Sequence, residues 1–455
     1  MPLSVAEAKG KLRPRREPDR WPVHAVGVSA AVPAAGTSAR QVCVVAASDA
    51  RALSTAHFRS AHELASLPCV LDGLLRDWPA MPSAAADPSS WTVRNLRHRL
   101  GKGPLACGAD ADGESVVLPF ASFVGDYMEG CLDRNPMVVF DATCIEPGAA
   151  MALQAGLAAA VALLPEPSVA QTWDAVRNWD RAPPLPPPPL CKGDLASDYA
   201  PPLIFAEEDF FGRLGHMERP PHKWLIVGPA RSGSPVHTDP MATMAWNALL
   251  EGEKRWVLFH PDTPSALLTP WLGCCKQLEP PCRPRGEFEL AGQEPADGEC
   301  HGECHGECDD DWEDLFGWFT EDLQGIKRAV AAHFADQLEP STAGRVAGSE
   351  GTEWWCIEFV QRAGQTVFLP SMWHHAVLNL TDCVAVTQNY VSQSNLAATY
   401  RACCMGEMEP ALCARWRLAM ETHEPKLTAL HMPLELLPTS EQLLPKVEIR
   451  ARKEE

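Results

Sequence analysis

Two short stretches of the chain hold residues that could share a metal ion. In SPVHTDPM, His237 and Asp239 stand two apart, so on extended backbone both side chains project from one face. In FLPSMWHHAVLNL, His374 and His375 are adjacent and point to opposite faces. The first pair plus one imidazole from elsewhere makes a facial set of two histidines and a carboxylate. Such a set suits iron(II) and leaves three positions open for other ligands. Parity bears on which adjacent histidine joins. His374 shares its face with Ala376, Leu378 and Leu380, an apolar row that belongs against a core, while His375 lies with Val377 and Asn379. His375 is the better ligand, and His374 the better packed neighbour.

A His-x-Asp pair is weak alone, and FHPDTP carries a second one, His260 with Asp262. Context separates them. His237 and Asp239 are followed by MAWNALL and KRWVLF, strand-like runs that set Asn247 and Lys254 among apolar residues, whereas the second pair runs straight into proline and turn. Further on, CVAVTQNYV places Ala385, Thr387 and Asn389 on one face. Buried Thr and Asn side chains need polar partners. A bound dicarboxylate would serve, with Lys254 neutralising one end through a charge-assisted hydrogen bond.

Strands must position these residues. Over 203–260, runs such as WLIVG, MAWNALL and RWVLF are separated by Gly, Pro and Ser turns, and WWCIEFV, QTVFLP, HAVLNL and CVAVTQNYV follow later. The pattern predicts one mainly β system, barrel or sandwich, interrupted by an irregular stretch at about 271–350. Residues 1–60 show little pattern and are expected to form an irregular tail. Residues 61–145 read as an α/β support region. Residues 146–200 combine an alanine-rich run, Ala149 to Leu164, expected as a helix of a soluble protein, with the polyproline linker RAPPLPPPPL. The chain from 401 to 455 reads as helical.

The 455 residues carry a net charge of −20, which repels nucleic acid and membrane headgroups and attracts basic partners. The compact basic run KGKLRPRR, Lys9 to Arg16, reads either as a solvated tail or as a nuclear address. No apolar export segment is visible at the N-terminus, so the seventeen cysteines read as reduced thiols of cytosol or nucleus. GECHGECHGEC, Gly298 to Cys308, offers soft-metal ligands, but its spacing is not that of a common zinc module, and a tandem repeat in an insertion explains it as well.

HTDPMATMAWNALLEGEKRW together with FLPSMWHHAVLNLTDCVAVTQNYV resembles the JmjC 2-oxoglutarate oxygenases, and RPPHKWLIVGPARSGS and ARWRLAMETHEPKL are similar too. The resemblance implies a double-stranded β-helix (jelly-roll, cupin-like) core over 201–400, mainly β with flanking helices. It implies Fe(II) held by His237, Asp239 and His375, with 2-oxoglutarate and O2 as co-substrates. Lys254 and Thr387 would hold the far carboxylate, and Asn247 and Asn389 would line the same pocket. The implied enzyme is a protein hydroxylase or demethylase, acting on lysine C-5 or on N-methyl arginine. Basic Lys/Arg-rich protein clients, a nuclear location and a homodimer through the C-terminal helices belong to the same expectation. Another target (Asn, His or RNA) and a catalytically weak scaffold remain the alternatives. The chain departs from the family where Val138 replaces a tyrosine that helps bind the co-substrate. It also departs in the length of the 271–350 stretch, and it lacks extensive basic segments, so nucleic-acid and membrane binding are not expected.

Overall fold

A computed structural model describes residues 3–12, 39–40, 42–82, 87–109, 115–142, 144–145, 195–214, 219–269, 315–337 and 353–436. Strands β1 (Ala39–Arg40), β2 (Cys43–Val45), β3 (Cys69–Asp72), β4 (Pro104–Ala109), β5 (Ser115–Pro119) and β6 (Val139–Asp141) precede the main sheet system. Before the 271–350 stretch come β7 (Lys223–Gly228), β8 (Gly233–His237), β9 (Met244–Glu251) and β10 (Glu253–Phe259). After it come β11 (Glu353–Arg362), β12 (Gln365–Leu369), β13 (His374–Asn379) and β14 (Cys383–Tyr390).

One sheet is ordered β1-β11-β10-β13-β8 and the other β2-β3-β12-β9-β14-β7-β6. Both alternate early and late strands: β10 lies between β11 and β13, and β9 between β12 and β14. Neither run can close a sheet without the other. This interleaving is the double-stranded β-helix. Its interior is filled from both sheets, by Trp256, Leu258, Ile357, Phe359 and Val377 on one side and Ala245, Val367 and Leu369 on the other.

The outer faces are covered as well. Trp246, Ala248, Leu250, Val384 and Val386 pack against N-terminal aromatics that include Phe58, Trp91 and Phe123. β9 is therefore buried at every position except its last, and its sequence is nearly continuous in apolar residues rather than alternating. Gly252 turns β9 into β10 at φ +92, where an added Cβ would sit 2.2 Å from the Asp382 carbonyl oxygen. The C-terminal helices Leu396–Ala402, Pro410–His423 and Pro425–His431 make a separate cluster in which Trp416 donates to the Phe210 carbonyl.

Two stretches expected to be irregular are not wholly so. Within 1–60, the helices Val5–Leu12 and Thr55–Phe58 form, and Phe58 sits in the N-terminal core. Within 271–350, a helical run from Leu315 to Gln337 lies on the outer face of β10 and β13, burying Phe316, Phe319, Leu323, Ile326, Val330 and Phe334 against Val257, Phe259, Ala376 and Leu378. Those positions recur at three and four residues, an amphipathic stripe beside a repeat of different composition. Beneath the helix, Arg255 and Lys327 both pair with the buried Glu358 carboxylate. The alanine-rich run, the polyproline run and the GEC repeat lie outside the described residues. Among the described residues no helix is long and apolar enough to cross a membrane.

The packed helix carries a prediction. Ile326→Ala is expected to lower stability by about 2–5 kcal/mol in chemical denaturation, as for a fully buried aliphatic side chain. A loss below ~0.5 kcal/mol would show instead that the helix is not part of the core.

Candidate metal and co-substrate site

β8 runs antiparallel to β13 with His237 directly opposite His375. The two rings lie 4.2 Å apart between centroids, and His375 Nε2 is 4.0 Å from Asp239 Oδ1. Ligand atoms of His237, Asp239 and His375 all lie within 4.8 Å of one another. His237 Nδ1 is 2.7 Å from the Pro235 carbonyl and His375 Nδ1 is 3.0 Å from the Trp373 carbonyl. A carbonyl only accepts, so each Nδ1 carries the proton and each Nε2 keeps a free lone pair. Burial, followed by the nearby His237, pushes the His375 pKa well below the usual range, so this imidazole is neutral.

Asp239 projects from the turn that follows β8. Burial raises its pKa to about 6, against the lowering effects of His237 and of a hydrogen bond from Asn389. The next residues are under strain: Met241 and Ala242 sit at φ 56 and 49, a left-handed conformation that costs about 1–2 kcal/mol for each side-chain-bearing residue. Tertiary bonds hold this turn. The Ala242 carbonyl accepts from Ser371 Oγ at 2.7 Å, Asn395 Nδ2 at 3.0 Å and Thr399 Oγ1 at 3.2 Å, while the Met241 N–H donates to Glu407. Two free imidazole lone pairs and a raised carboxyl, converging on one point, suit a divalent cation, and iron(II) fits the nitrogen and oxygen donor set.

Deeper in the barrel, Lys254 of β10 stands opposite Asn379 of β13. Its side chain is buried, burial lowers its pKa, and among the described residues it makes no hydrogen bond or ion pair. Two amide oxygens, Asn247 Oδ1 and Asn379 Oδ1, are buried there with no hydrogen-bond partner among the described residues. Thr387 faces Asn247 across the β14–β9 pair and donates to the Trp246 carbonyl at 3.0 Å. Asn389 Nδ2 reaches Thr243 Oγ1 at 2.9 Å as well as Asp239. An unpaired buried ammonium is costly until an anion joins it, and the carboxylate of a keto acid supplies both charge and acceptors. The residues present thus fit 2-oxoglutarate.

Of the seven expected site residues, His237, Asp239 and His375 cluster within 4.8 Å, Asn389 reaches Asp239, Thr387 pairs with Asn247 across β14 and β9, and Lys254 stands opposite Asn379. The sequence reading assigned no role to Asn379; its parity with His375 and Val377 was the available signal. Val138 closes the same polar end, since a Cβ added to Gly228 would meet Ser232 Oγ, Val138 Cγ2 and Asn379 Nδ2. His374 instead pairs opposite Phe259 on the outward row. His260 and Asp262 form a separate pair 3.5 Å apart, with the carboxylate exposed after β10.

Two measurements check this site. Lys254→Met is expected to weaken 2-oxoglutarate binding by roughly 10–100-fold in anaerobic calorimetry, without loss of folding stability; unchanged affinity would place the keto acid elsewhere. The second concerns pH. The Asp239 pKa is raised above its ordinary 3.8, so this group favours the metal-free fold while protonated, and that contribution is lost as pH climbs through about 6. A cation needs the carboxylate, so Mn(II) affinity should rise with pH up to about 6 and then level. A flat profile from pH 5 to 7, about one unit either side of that pKa, would contradict the assignment.

Comparison with known proteins agrees with the geometry. Residues 311–390 match the JmjC domain, hydroxylase, a stretch that contains β11 to β14 and hence His375, Thr387 and Asn389. The chain is 27% identical over 423 residues to the bifunctional arginine demethylase and lysyl-hydroxylase of Caenorhabditis elegans, covering 93% of this chain and 78% of that protein. It is 33% identical over 202 residues to an arginine-specific demethylase of Arabidopsis thaliana, covering 44% and 29%. A 2-oxoglutarate and iron-dependent oxygenase of Homo sapiens is 27% identical over 206 residues, covering 44% and 34%. Ligand geometry and sequence likeness converge: residues 311–390 match the JmjC hydroxylase domain, and His237, Asp239 and His375 form a donor set that could hold iron(II) beside a pocket whose residues fit 2-oxoglutarate.

Proposed function

We propose that the chain is an oxygenase acting on protein side chains, hydroxylating lysine at C-5 and removing methyl groups from N-methyl arginine. The observation that carries the reading is the likeness to the bifunctional worm enzyme, which runs through the N-terminal support and the C-terminal helices as well as the barrel. The two outcomes share one chemistry. Hydroxylation at C-5 leaves a stable alcohol, whereas hydroxylation of an N-methyl carbon gives a product that loses formaldehyde and frees the nitrogen.

Iron(II) and 2-oxoglutarate, when bound, supply the oxygen activation, with one oxygen atom of O2 ending in succinate and the other on the substrate carbon. The chain's own residues supply position. Lys254 anchors the far carboxylate of the keto acid, and Thr387 and Asn247 wall the cavity around it. Asn389 keeps the Asp239 carboxylate turned toward the two imidazoles, while the Pro235 and Trp373 carbonyls fix the rings. The apolar interior of Trp256, Leu258 and Val377 limits water around the reacting centre.

The net charge of −20 supports Lys/Arg-rich segments as clients, drawn in by long-range attraction. A nuclear location is proposed on the basic run Lys9 to Arg16. Lys/Arg-rich peptides incubated with the protein, Fe(II), 2-oxoglutarate and O2 should gain one oxygen atom on lysine by mass spectrometry, and His375→Ala should abolish the gain. Methyl loss from methylated arginine without lysine oxidation would make demethylation the principal activity. Succinate formation with no change in any peptide would move the substrate to another class.

A further inference from the structure

We infer that Cys404 and Cys413 form a peroxide-oxidisable thiol pair, a modification site tied to the turn that carries Asp239. Their sulfur atoms lie 3.4 Å apart in hydrogen-bond contact. Cys404 lies in the helical segment Cys403–Glu407 after the helix Leu396–Ala402, and Cys413 in the helix Pro410–His423. Cys404 is half-buried and reachable by a small oxidant, while Cys413 is fully buried. The hydrogen bond from Cys413, its largest influence, lowers the Cys404 pKa, with smaller help from Tyr400 and Arg417. The same contact raises that of Cys413. The more accessible partner is thus the nucleophile and the buried one keeps its proton.

The chemistry balances with a hydroperoxide as oxidant. The Cys404 thiolate attacks one peroxide oxygen, the O–O bond breaks, and sulfenic acid forms with release of hydroxide, which takes up a proton to become water. Cys413 then attacks that sulfur as its proton leaves; the S–S bond forms and the hydroxyl departs as water. In total two thiols and one hydrogen peroxide give one disulfide and two waters.

The bond has a consequence because of what the same segment holds. A disulfide sets the sulfurs about 2.05 Å apart, so closing the pair draws Cys404 by more than an ångström toward the helix Pro410–His423. Gly406, at φ 111, is the bend through which such a shift passes to the next residue. The next residue, Glu407, accepts the N–H of strained Met241, two residues after the metal ligand Asp239. Movement of the segment breaks that bond and loosens the turn. Oxidation therefore weakens metal binding, although the pair lies outside the metal site.

The test treats the full-length protein with hydrogen peroxide, alkylates free thiols, and maps peptides by mass spectrometry. Mn(II), which this treatment does not oxidise out of the site, then probes metal affinity before and after. Expected are a linked Cys404–Cys413 peptide pair and Mn(II) affinity about tenfold weaker, the size seen when support behind one ligand is lost. Dithiothreitol should restore the affinity. Cys404→Ser should bind Mn(II) as the reduced protein does and lose the peroxide response, and it avoids the folding risk of altering buried Cys413. Alkylation of both thiols after peroxide, or linkage through Cys403 instead, overturns the pair. A linked pair with unchanged Mn(II) affinity overturns the connection to Asp239.

Discussion

The antiparallel contact between β13 and β8 is what the rest of the molecule serves. It brings His375 against His237 across a single pair of strands, and a shift of one residue would turn His375 outward and present His374. Register is therefore the quantity under control. β13 is held on its other edge by β10, with Lys254 opposite Asn379 and Leu258 opposite His375, so one alignment places both the metal ligand and the carboxylate anchor inside the barrel. The interior and outer clusters enforce the same register. A slip would bring Ala376 and Leu378 into the polar cavity and put Asn379 under the helix Leu323–Gln337.

Lys254 and Arg255 show how one strand divides charge between its faces. Both are buried cations and they are adjacent. Arg255 points outward, where Glu358 receives it together with Lys327. Lys254 points inward, where no carboxylate among the described residues meets it. The outward group is satisfied within the fold and steadies the helical cover; the inward one is left for a guest. Stability given up in an unpaired ammonium becomes affinity for an anionic co-substrate. The unpartnered amide oxygens of Asn247 and Asn379 belong to the same arrangement.

The turn after Asp239 is strained and borrows its support from distant elements. Left-handed Met241 and Ala242 would relax in an isolated peptide. Ser371 from the loop before β13, and Asn395, Thr399 and Glu407 from the C-terminal region, keep them in place. The C-terminal helices are thus joined to the metal site by hydrogen bonds to one short turn. That joining gives a physical reason for likeness to the worm enzyme to extend well beyond the barrel strands.

Much of this was legible in the chain. Spacing placed His237 and Asp239 on one face, parity favoured His375 over His374, and alternation in CVAVTQNYV aligned Thr387 with Asn389. These are local consequences of strand geometry and need no partner. The resemblance to the JmjC family then joined the two halves and tied Lys254 to the carboxylate. Other features were not legible. The order in which early and late strands interleave depends on long-range pairing, and periodicity within a strand says nothing of its neighbours. The apolar stripe from Leu315 to Phe334 was present in the sequence, but only the uncovered outer face of β10 and β13 shows why it must fold. Asn379 shared the ligand row all along. Its place in the pocket follows from the pairing with β10, because proximity to Lys254 is a property of the sheet and not of either strand.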